Sequence, residues 1–449
     1  MLVEWFEVKN NIYACLEIGC AEARMMVCNI RQERLYVLSQ QSVVATGIEN
    51  GNVVNVNQIV EKLKLLKANV EADLKQDIQN VLLAVPSVEC RIDNVANSLE
   101  LDPNQPISHA NIKQLFRDII NQPTYHDQVA INIVPRAFVV DDKNAIQNPL
   151  GIIGKQLILH AQKVTASASL VYNLINIAEL AGFRIADIVL GSVAETMYAL
   201  TSEQLKKGAC HVNIGKDMTT ITVVHSGKVV SSVSLSTGGK DVTQHISDAF
   251  KVDEQTAEML KLNFGRIYHE STAPEIIYAD DLDGQFVCVT RQMLTDIITS
   301  RYEAILKVVK QYLIENCYKH DQMQYIFTGG ASEIEGFNLL AKAIFAQEVT
   351  VFTPSMLGAR SAKYVKLIGM ATFIHEMSLL TGQKSNIIDF DQYANVIPDS
   401  PLSMVESIST EVTPKTKGHD RTFMDHKLEN SGVLVRMFDM IFDANVEEK

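Results

Sequence analysis

The 449-residue chain predicts an α/β protein of two similar lobes made by duplication, and three observations carry that prediction. The run Leu16-Glu17-Ile18-Gly19 turns directly into Met25-Met26-Val27-Cys28. Much later, Val212-Asn213-Ile214-Gly215 turns into Thr219-Thr220-Ile221-Thr222-Val223-Val224. A third turn, Thr328-Gly329-Gly330-Ala331-Ser332 with Gly336, follows the apolar strand Tyr325-Ile326-Phe327. Two such hairpins facing each other across a cleft put glycines where backbone N–H groups approach phosphate oxygens, and a glycine turn opening a helix adds another anion site. X-Ile-Gly is common in ordinary hairpins, so the ordered set, not any one piece, specifies the fold.

Composition narrows the function classes. Hydrophobic residues make up 47%, ample for buried cores in more than one domain, or in one duplicated domain with insertions. A net charge of −13 argues against nucleic acid as a partner, which needs a basic face, and against general attraction to anionic lipid. The start Met1-Leu2-Val3-Glu4-Trp5-Phe6-Glu7 is acidic and too short for a signal peptide, and no run reaches the ~18 apolar residues of a spanning helix. The seven cysteines lack C-x-x-C spacing, so a reduced, cytoplasmic protein with packing cysteines is expected.

In chain order, residues 11–88 read as three strands, a helix and a strand. The helix carries Ile59, Leu63, Leu66, Val70 and Leu74 on one stripe, and the strand Val81-Leu82-Leu83-Ala84-Val85 stops at Pro86. Residues 90–165 read as a separate small α/β unit. Its helix starts near Ser108 and buries Ile112, Leu115, Phe116, Ile119 and Ile120, with strands over 128–134 and 156–161 about the turn Asn148-Pro149-Leu150-Gly151. Helix, strand, helix follow over 166–202. After the second hairpin come helices Val252 to Leu262 and Arg291 to Cys317, the latter with Leu294, Ile298, Ile305, Val308 and Tyr312 roughly on one face. A helix from about Asn338 and an apolar helix from Ala362 to Leu380 complete the body.

Beyond Thr381 the composition shifts to a Ser/Thr/Asp-rich stretch broken by Pro398, Pro401 and Pro414, which predicts a linker over 385–430 with a typical span of roughly 35 Å. The final segment, 431–446, predicts an amphipathic helix. Arg436, Asp439 and Asp443 form a narrow polar face, and Val433, Leu434, Met437, Phe438, Met440, Ile441 and Phe442 fill the remainder. A tethered helix with that much apolar surface seeks a bilayer interface or a partner groove.

These residues resemble the FtsA family of bacterial actin-like division proteins. The likeness rests on Glu17-Ile18-Gly19, Gly47-Ile48-Glu49-Asn50-Gly51, Asn148-Pro149-Leu150-Gly151-Ile152-Ile153-Gly154, Gly238-Gly239-Lys240-Asp241-Val242-Thr243, the run from Ala257 to Gly265, and Thr328-Gly329-Gly330-Ala331. The resemblance implies an actin-like (duplicated ribonuclease-H-like) two-lobed fold with an inserted small α/β subdomain. Subdomain 1A would be 1–88 and 166–202, with the helix near 362–382. The insertion 1C would be 89–165, 2A would be 203–241 and 323–361, and 2B would be 242–322. The insertion at that place is the most specific mark, since MreB and actin place theirs elsewhere.

The resemblance also implies a site, and the chain departs from it. Where the family hairpin reads Asp-Ile-Gly-Thr-Ser-Lys, this chain has Glu17-Ile18-Gly19-Cys20-Ala21-Glu22. Where it reads Asp-Ile-Gly-Gly-Gly-Thr-Thr-Asp, this chain has Asn213-Ile214-Gly215-Lys216-Asp217-Met218-Thr219-Thr220. The metal-positioning carboxylate pair thus survives only as Glu17. Glu22 would cost a phosphate ~4 Å away about 4 kcal/mol near a protein surface, with Lys216 a partial offset. Glu258 and Lys261, three apart on one helix face, are expected to reach the nucleoside, and Gly238, Gly239, Gly329 and Gly330 keep their turns. The place of a water-activating Glu in MreB-like proteins falls near Gly191. The site residues expected are therefore Glu17, Gly19, Gly215, Lys216, Gly238, Gly239, Glu258, Lys261, Gly329 and Gly330, with ATP and Mg²⁺ binding weakened or lost, no catalytic group and no metal ligand set.

Neither Gly239-Lys240, which lacks the leading glycine and the Ser/Thr of a P-loop, nor His375-Glu376, which lacks a second His, makes a motif. The resemblance implies a membrane-tethering adaptor for the FtsZ ring at the cytoplasmic face of the cell membrane. Arg291 and Arg301 would receive the FtsZ C-terminal peptide, 1C would contact other division proteins, and the protein would self-associate into filaments or oligomers. The alternatives are a PilM-like scaffold of a pilus or secretion platform and an active ATPase of the same fold. FtsA anchors commonly carry several basic residues, whereas 433–446 nets one negative charge. Apolar burial of roughly 5–10 kcal/mol must then do the attaching.

Overall fold

The computed structural model describes residues 11–268, 275–282, 285–316, 318 and 323–382. The expected linker over 385–430, the helix over 431–446 and its membrane residues Val433 to Phe442 lie outside the described residues. Strands β1 (Asn11–Ile18), β2 (Glu22–Arg31) and β3 (Arg34–Val44) form an antiparallel meander. Short strands β4 (Ile48–Glu49) and β5 (Asn52–Val53) lead to helix α1 (Val56–Leu74), where Asn55 caps the N-terminus by accepting the Gln58 amide at 3.2 Å. The predicted stripe buries Ile59, Leu63, Leu66 and Val70, joined by Val60, while Leu74 is only partly covered. Strand β6 (Asn80–Val85) pairs parallel with β1.

The insertion follows at once. Strands β7 (Arg91–Glu100), β8 (Gln128–Val140) and β9 (Gln156–Ser167) form an antiparallel sheet in the order β7-β9-β8, with α2 (His109–Ile120) packed on it. The Ser108 amide donates to Asn111 Oδ1 at 2.9 Å, and α2 buries the five residues its spacing predicts. The chain then rejoins the first lobe through α3 (Ala168–Leu180), β10 (Arg184–Leu190), α4 (Gly191–Ala199) and α5 (Ser202–Lys207).

The second lobe repeats the first. Strands β11 (Ala209–Ile214), β12 (Thr219–His225) and β13 (Lys228–Leu235) form the meander. Helices α6 (Gly239–Phe250) and α7 (Glu254–Phe264), the hairpin β14 (Ile276–Leu282) and β15 (Gln285–Thr290), and α8 (Arg291–Glu315) come next. Strand β16 (Gln324–Thr328), a 3₁₀ turn over Gly330–Glu333, α9 (Phe337–Phe345) and β17 (Val349–Val351) close the sheet. Helix α10 (Val365–Thr381) crosses back to pack on α4 and β1.

The two large sheets run β3-β2-β1-β6-β10 and β13-β12-β11-β16-β17. In both, the first three strands are antiparallel and the last two join parallel, so the duplication holds strand by strand. Each lobe has its own apolar core, and the insertion has a third, shared with Met377 and Leu380 of α10.

Several details differ from the periodicity reading. Helix α6 and strands β7, β13, β14, β15 and β17 are additional to it. On α8 the buried face runs through Ile305, Leu306, Val309 and Leu313, so Val308 points outward at 46% exposure and Tyr312 is only partly covered. The helix expected from Asn338 begins at Phe337, after the 3₁₀ turn has absorbed the third glycine turn.

Candidate functional site

The cleft lies where the two hairpins meet. Gly19 N–H donates to Glu22 O at 3.1 Å and Gly215 N–H to Met218 O at 2.9 Å, so the two turns close alike. A Cβ would stand 2.9 Å from Glu22 O at Gly19 and 3.0 Å from Met218 O at Gly215, which explains the glycines. At Gly329, φ is +87° and a Cβ would lie 2.4 Å from Ile214 O, a conformation and a space open to glycine alone.

Of the expected residues, Glu17, Gly19, Gly215, Lys216, Gly329 and Gly330 line one cavity of about 110 Å³. Gly239 adjoins it, donating its amide to Gly215 O at 2.9 Å, while the Gly238 amide goes to Asp241 Oδ2 at 2.9 Å and that of Gly329 to Ala362 O at 3.4 Å. Five glycine amides expected to face phosphates are therefore engaged inside the protein. Gly330 has open space around it.

Glu258 and Lys261 sit together on α7, but they are turned on each other. Lys261 Nζ donates to Glu258 Oε2 at 2.7 Å, Thr243 Oγ1 at 2.6 Å and Gly239 O at 3.0 Å, which uses its three protons. Burial pushes the Lys261 ammonium below its usual range, and Glu258 opposes that.

Around the first hairpin an ion network appears that motif reasoning did not find. Lys366 Nζ of α10 lies 2.6 Å from Glu17 Oε1, and Arg24 Nη1 of β2 lies 3.1 Å from Glu17 Oε2. Arg24 Nε also reaches Glu22 Oε2 at 3.0 Å, with Lys363 Nζ at 3.4 Å. Glu22 is thus neutralised by Arg24 and Lys363, not by Lys216 as its sequence position suggested. Burial alone would raise the Glu17 carboxyl, but Lys366 and Arg24 outweigh it and hold the group below the usual range. Burial would lower the Lys366 ammonium, and Glu17 with Glu195 raises it instead.

Glu195, one helical turn after Gly191, is a further carboxylate lining the cleft. It is 1% exposed and accepts from Asn213 Nδ2 at 2.6 Å and Thr328 Oγ1 at 2.6 Å. Because Thr328 gives its only proton to Glu195, it must accept from His211 Nε2, 2.9 Å away, and His211 Nδ1 then accepts from Thr196 Oγ1 at 2.8 Å. Burial holds His211 below its ordinary range, so at neutral pH the ring is uncharged, with its proton on Nε2. Glu195 and Thr196 belong to the first lobe, and His211, Asn213 and Thr328 to the second, so the chain of bonds ties the lobes.

Further ties reinforce it. Gln162 of the insertion exchanges two bonds with the Val229 backbone, at 2.9 and 3.1 Å, and Arg136 donates to Gly227 O and Ser226 O. Asn50 N–H reaches Asp217 Oδ2 at 3.2 Å. Cys20, beside Asp217, is pushed up to about 11 by burial, so its thiol is inert at neutral pH.

The two arginines expected to bind a peptide stand differently on α8. Arg291 is engaged with the Glu275 carboxylate, at 2.5 and 2.8 Å. Arg301 contacts His245, and its Nε is buried with no hydrogen-bond partner.

Two matching five-stranded sheets closing on a glycine-lined cleft define an actin-like protein. The family model described as "Cell division protein FtsA" matches residues 210–369, and "SHS2 domain inserted in FTSA" matches 88–165. FtsA of Bacillus subtilis is 23% identical over 94% of this chain and 97% of its own length. FtsA of Streptococcus pneumoniae serotype 2 is 22% identical over 82% of this chain and 81% of its own. The chain belongs to the FtsA family. Among solved structures, the PilM-PilN type IV pilus biogenesis complex aligns at TM-score 0.53 and 14% identity, covering 80% of this chain and 97% of that one. Spiroplasma citri MreB5 bound to AMPPNP aligns at TM-score 0.50 and 12% identity, covering 83% and 99%. These likenesses establish the fold.

Proposed function

We propose that this chain is a cell-division adaptor that gathers the FtsZ polymer at the cytoplasmic face of the membrane, working as a scaffold and not as an ATPase. The observation that carries the reading is the insertion between β6 and α3, matched by the inserted-domain model of this family, in a chain aligned with FtsA over nearly its whole length. Residues 433–442 supply the apolar face for the bilayer, and no described helix is long and apolar enough to cross one. The insertion offers a surface to other division proteins, and the body associates with copies of itself.

The FtsZ C-terminal peptide docks on α8. Arg301 has no carboxylate partner among the described residues, whereas Arg291 must first leave Glu275, so Arg301 is the stronger anchor. The cleft binds nucleotide weakly or not at all, for the amides of Gly19, Gly215, Gly238, Gly239 and Gly329, together with Glu17 and Lys261, are committed internally. The pilus-platform alternative rests on likeness of fold alone.

Fluorescence anisotropy with a labelled FtsZ tail peptide tests the docking assignment. Arg301→Glu weakens binding at least tenfold, and Arg291→Glu weakens it less. Unchanged affinity in Arg301→Glu removes the site.

A further inference from the structure

A nucleotide in an actin-like cleft implies a divalent ion beside the carboxylate of the first hairpin, and the residues present here do not fit one. We propose, building on the weak-nucleotide reading above, that the Lys366 ammonium takes the place of that metal, as a built-in cation between the carboxylates of Glu17 and Glu195.

Both oxygens of Glu17 are already taken, Oε1 by Lys366 Nζ at 2.6 Å and Oε2 by Arg24 Nη1 at 3.1 Å. Magnesium demands oxygen ligands at about 2.0–2.1 Å in near-ideal octahedral geometry, so it has no free carboxylate oxygen on Glu17 and would lie beside two cations. Glu195 lines the same cavity as Lys366: it is buried, fixed by Asn213 and Thr328, and its field helps keep the lysine charged.

The backbone makes room for this arrangement. At Gly191 a Cβ would stand 2.8 Å from Lys366 Cδ, so the glycine at the head of α4 is the gap through which the lysine stem passes. Charge agrees as well. Arg24, Lys216, Lys363 and Lys366 stand against Glu17, Glu22, Glu195 and Asp217, four of each sign. By formal charge the cavity lining together with the adjoining Glu22 balances without a metal ion, and a phosphate entering it meets protein cations in place of one.

The test is thermal unfolding of the full chain in EDTA, in millimolar Mg²⁺ and in millimolar Mn²⁺, each with and without ATP, joined to Mn²⁺ binding read from the paramagnetic resonance of the free ion. The wild-type midpoint is the same in EDTA and in metal. Lys366→Met removes the charge but keeps the length of the side chain, leaving Glu17 and Glu195 with one cation fewer. It gains Mn²⁺ binding and a metal-dependent rise in midpoint, and both gains vanish in Glu17→Gln/Lys366→Met.

Metal-dependent stabilisation of the wild type overturns the proposal, and this arm decides the matter even if Lys366→Met does not fold. A folded Lys366→Met that ignores Mn²⁺ also overturns it. Tight Mg-ATP binding by the wild type would bring down the weak-nucleotide reading too. A wild type indifferent to Mg-ATP, beside a Lys366→Met that ignores Mn²⁺, removes only the role of Lys366.

Discussion

Thr328→Val tests whether the chain of hydrogen bonds between the lobes holds them together. Valine matches threonine in shape, so the change deletes a hydroxyl and little else. That hydroxyl donates to Glu195 Oε1 at 2.6 Å and accepts from His211 Nε2 at 2.9 Å, among residues that are all 0–1% exposed. Loss of a bond to a charged group costs about 1.5–3 kcal/mol, and an unpaired buried N–H about 1–3 kcal/mol. Asn213 remains on Glu195, so the expected loss is about 3–5 kcal/mol rather than the whole network. For a lobe-sized unit this lowers the melting midpoint by roughly 6–20 °C. Calorimetry of the wild type, Thr328→Val and Thr328→Ser reads it, with hydrogen exchange at Ala209–Ile214 as the local probe. Serine keeps the hydroxyl and melts near the wild type. A Thr328→Val protein melting within about 2 °C of the wild type refutes the reasoning.

Two further outcomes are expected. Burial, assisted by Lys366 and opposed by Glu195, holds His211 below its ordinary 6.5, and burial does the same for His375. A folded-state value below the unfolded one means stability is fully present above pH 6.5 and declines as pH falls toward the folded values. Melting midpoints should therefore drop between about pH 7.5 and 5.5, and His211→Gln should flatten part of that drop. The apolar, weakly charged segment 433–446 should bind neutral and anionic vesicles alike, with the bound fraction little changed when salt is raised to about 0.5 M, where surface charges are screened. Release by salt in a sedimentation assay would contradict this.

Much of the architecture was legible because it is written in short-range patterns. The paired hairpins at Gly19 and Gly215 and the five-residue stripe of α2 depend only on neighbours in sequence, and each forms as its spacing dictates. Helix α6 escaped because Gly238-Gly239 reads as a turn, although Val242, Ile246 and Phe250 recur at intervals of four. The face of α8 was misjudged at Val308 because Val308 and Val309 are equally apolar, and only packing against the second core chooses Val309.

The cleft was half legible. Its glycines and Glu17 sit in recognisable turns, but the partners of Glu17 come from β2 and from a helix more than 300 residues away. One signal was present. Glu195 is the single charge on Gly191–Ala199, and Lys366 stands alone among the apolar residues of the first half of Val365–Thr381, where a charge needs a specific partner. Spacing placed Glu258 and Lys261 side by side correctly, but could not reveal that each is satisfied by the other and by Thr243.

Co-sedimentation of the full chain with lipid vesicles and FtsZ, run with no nucleotide and again with Mg-ATP, tests the account at its centre. FtsZ should reach the vesicle pellet equally in both conditions, only when this protein is present, and not after removal of residues 431–449. Recruitment that demands Mg-ATP, or brisk ATP turnover by a protein that leaves vesicles untouched, would contradict a scaffold whose cleft is held by its own charges.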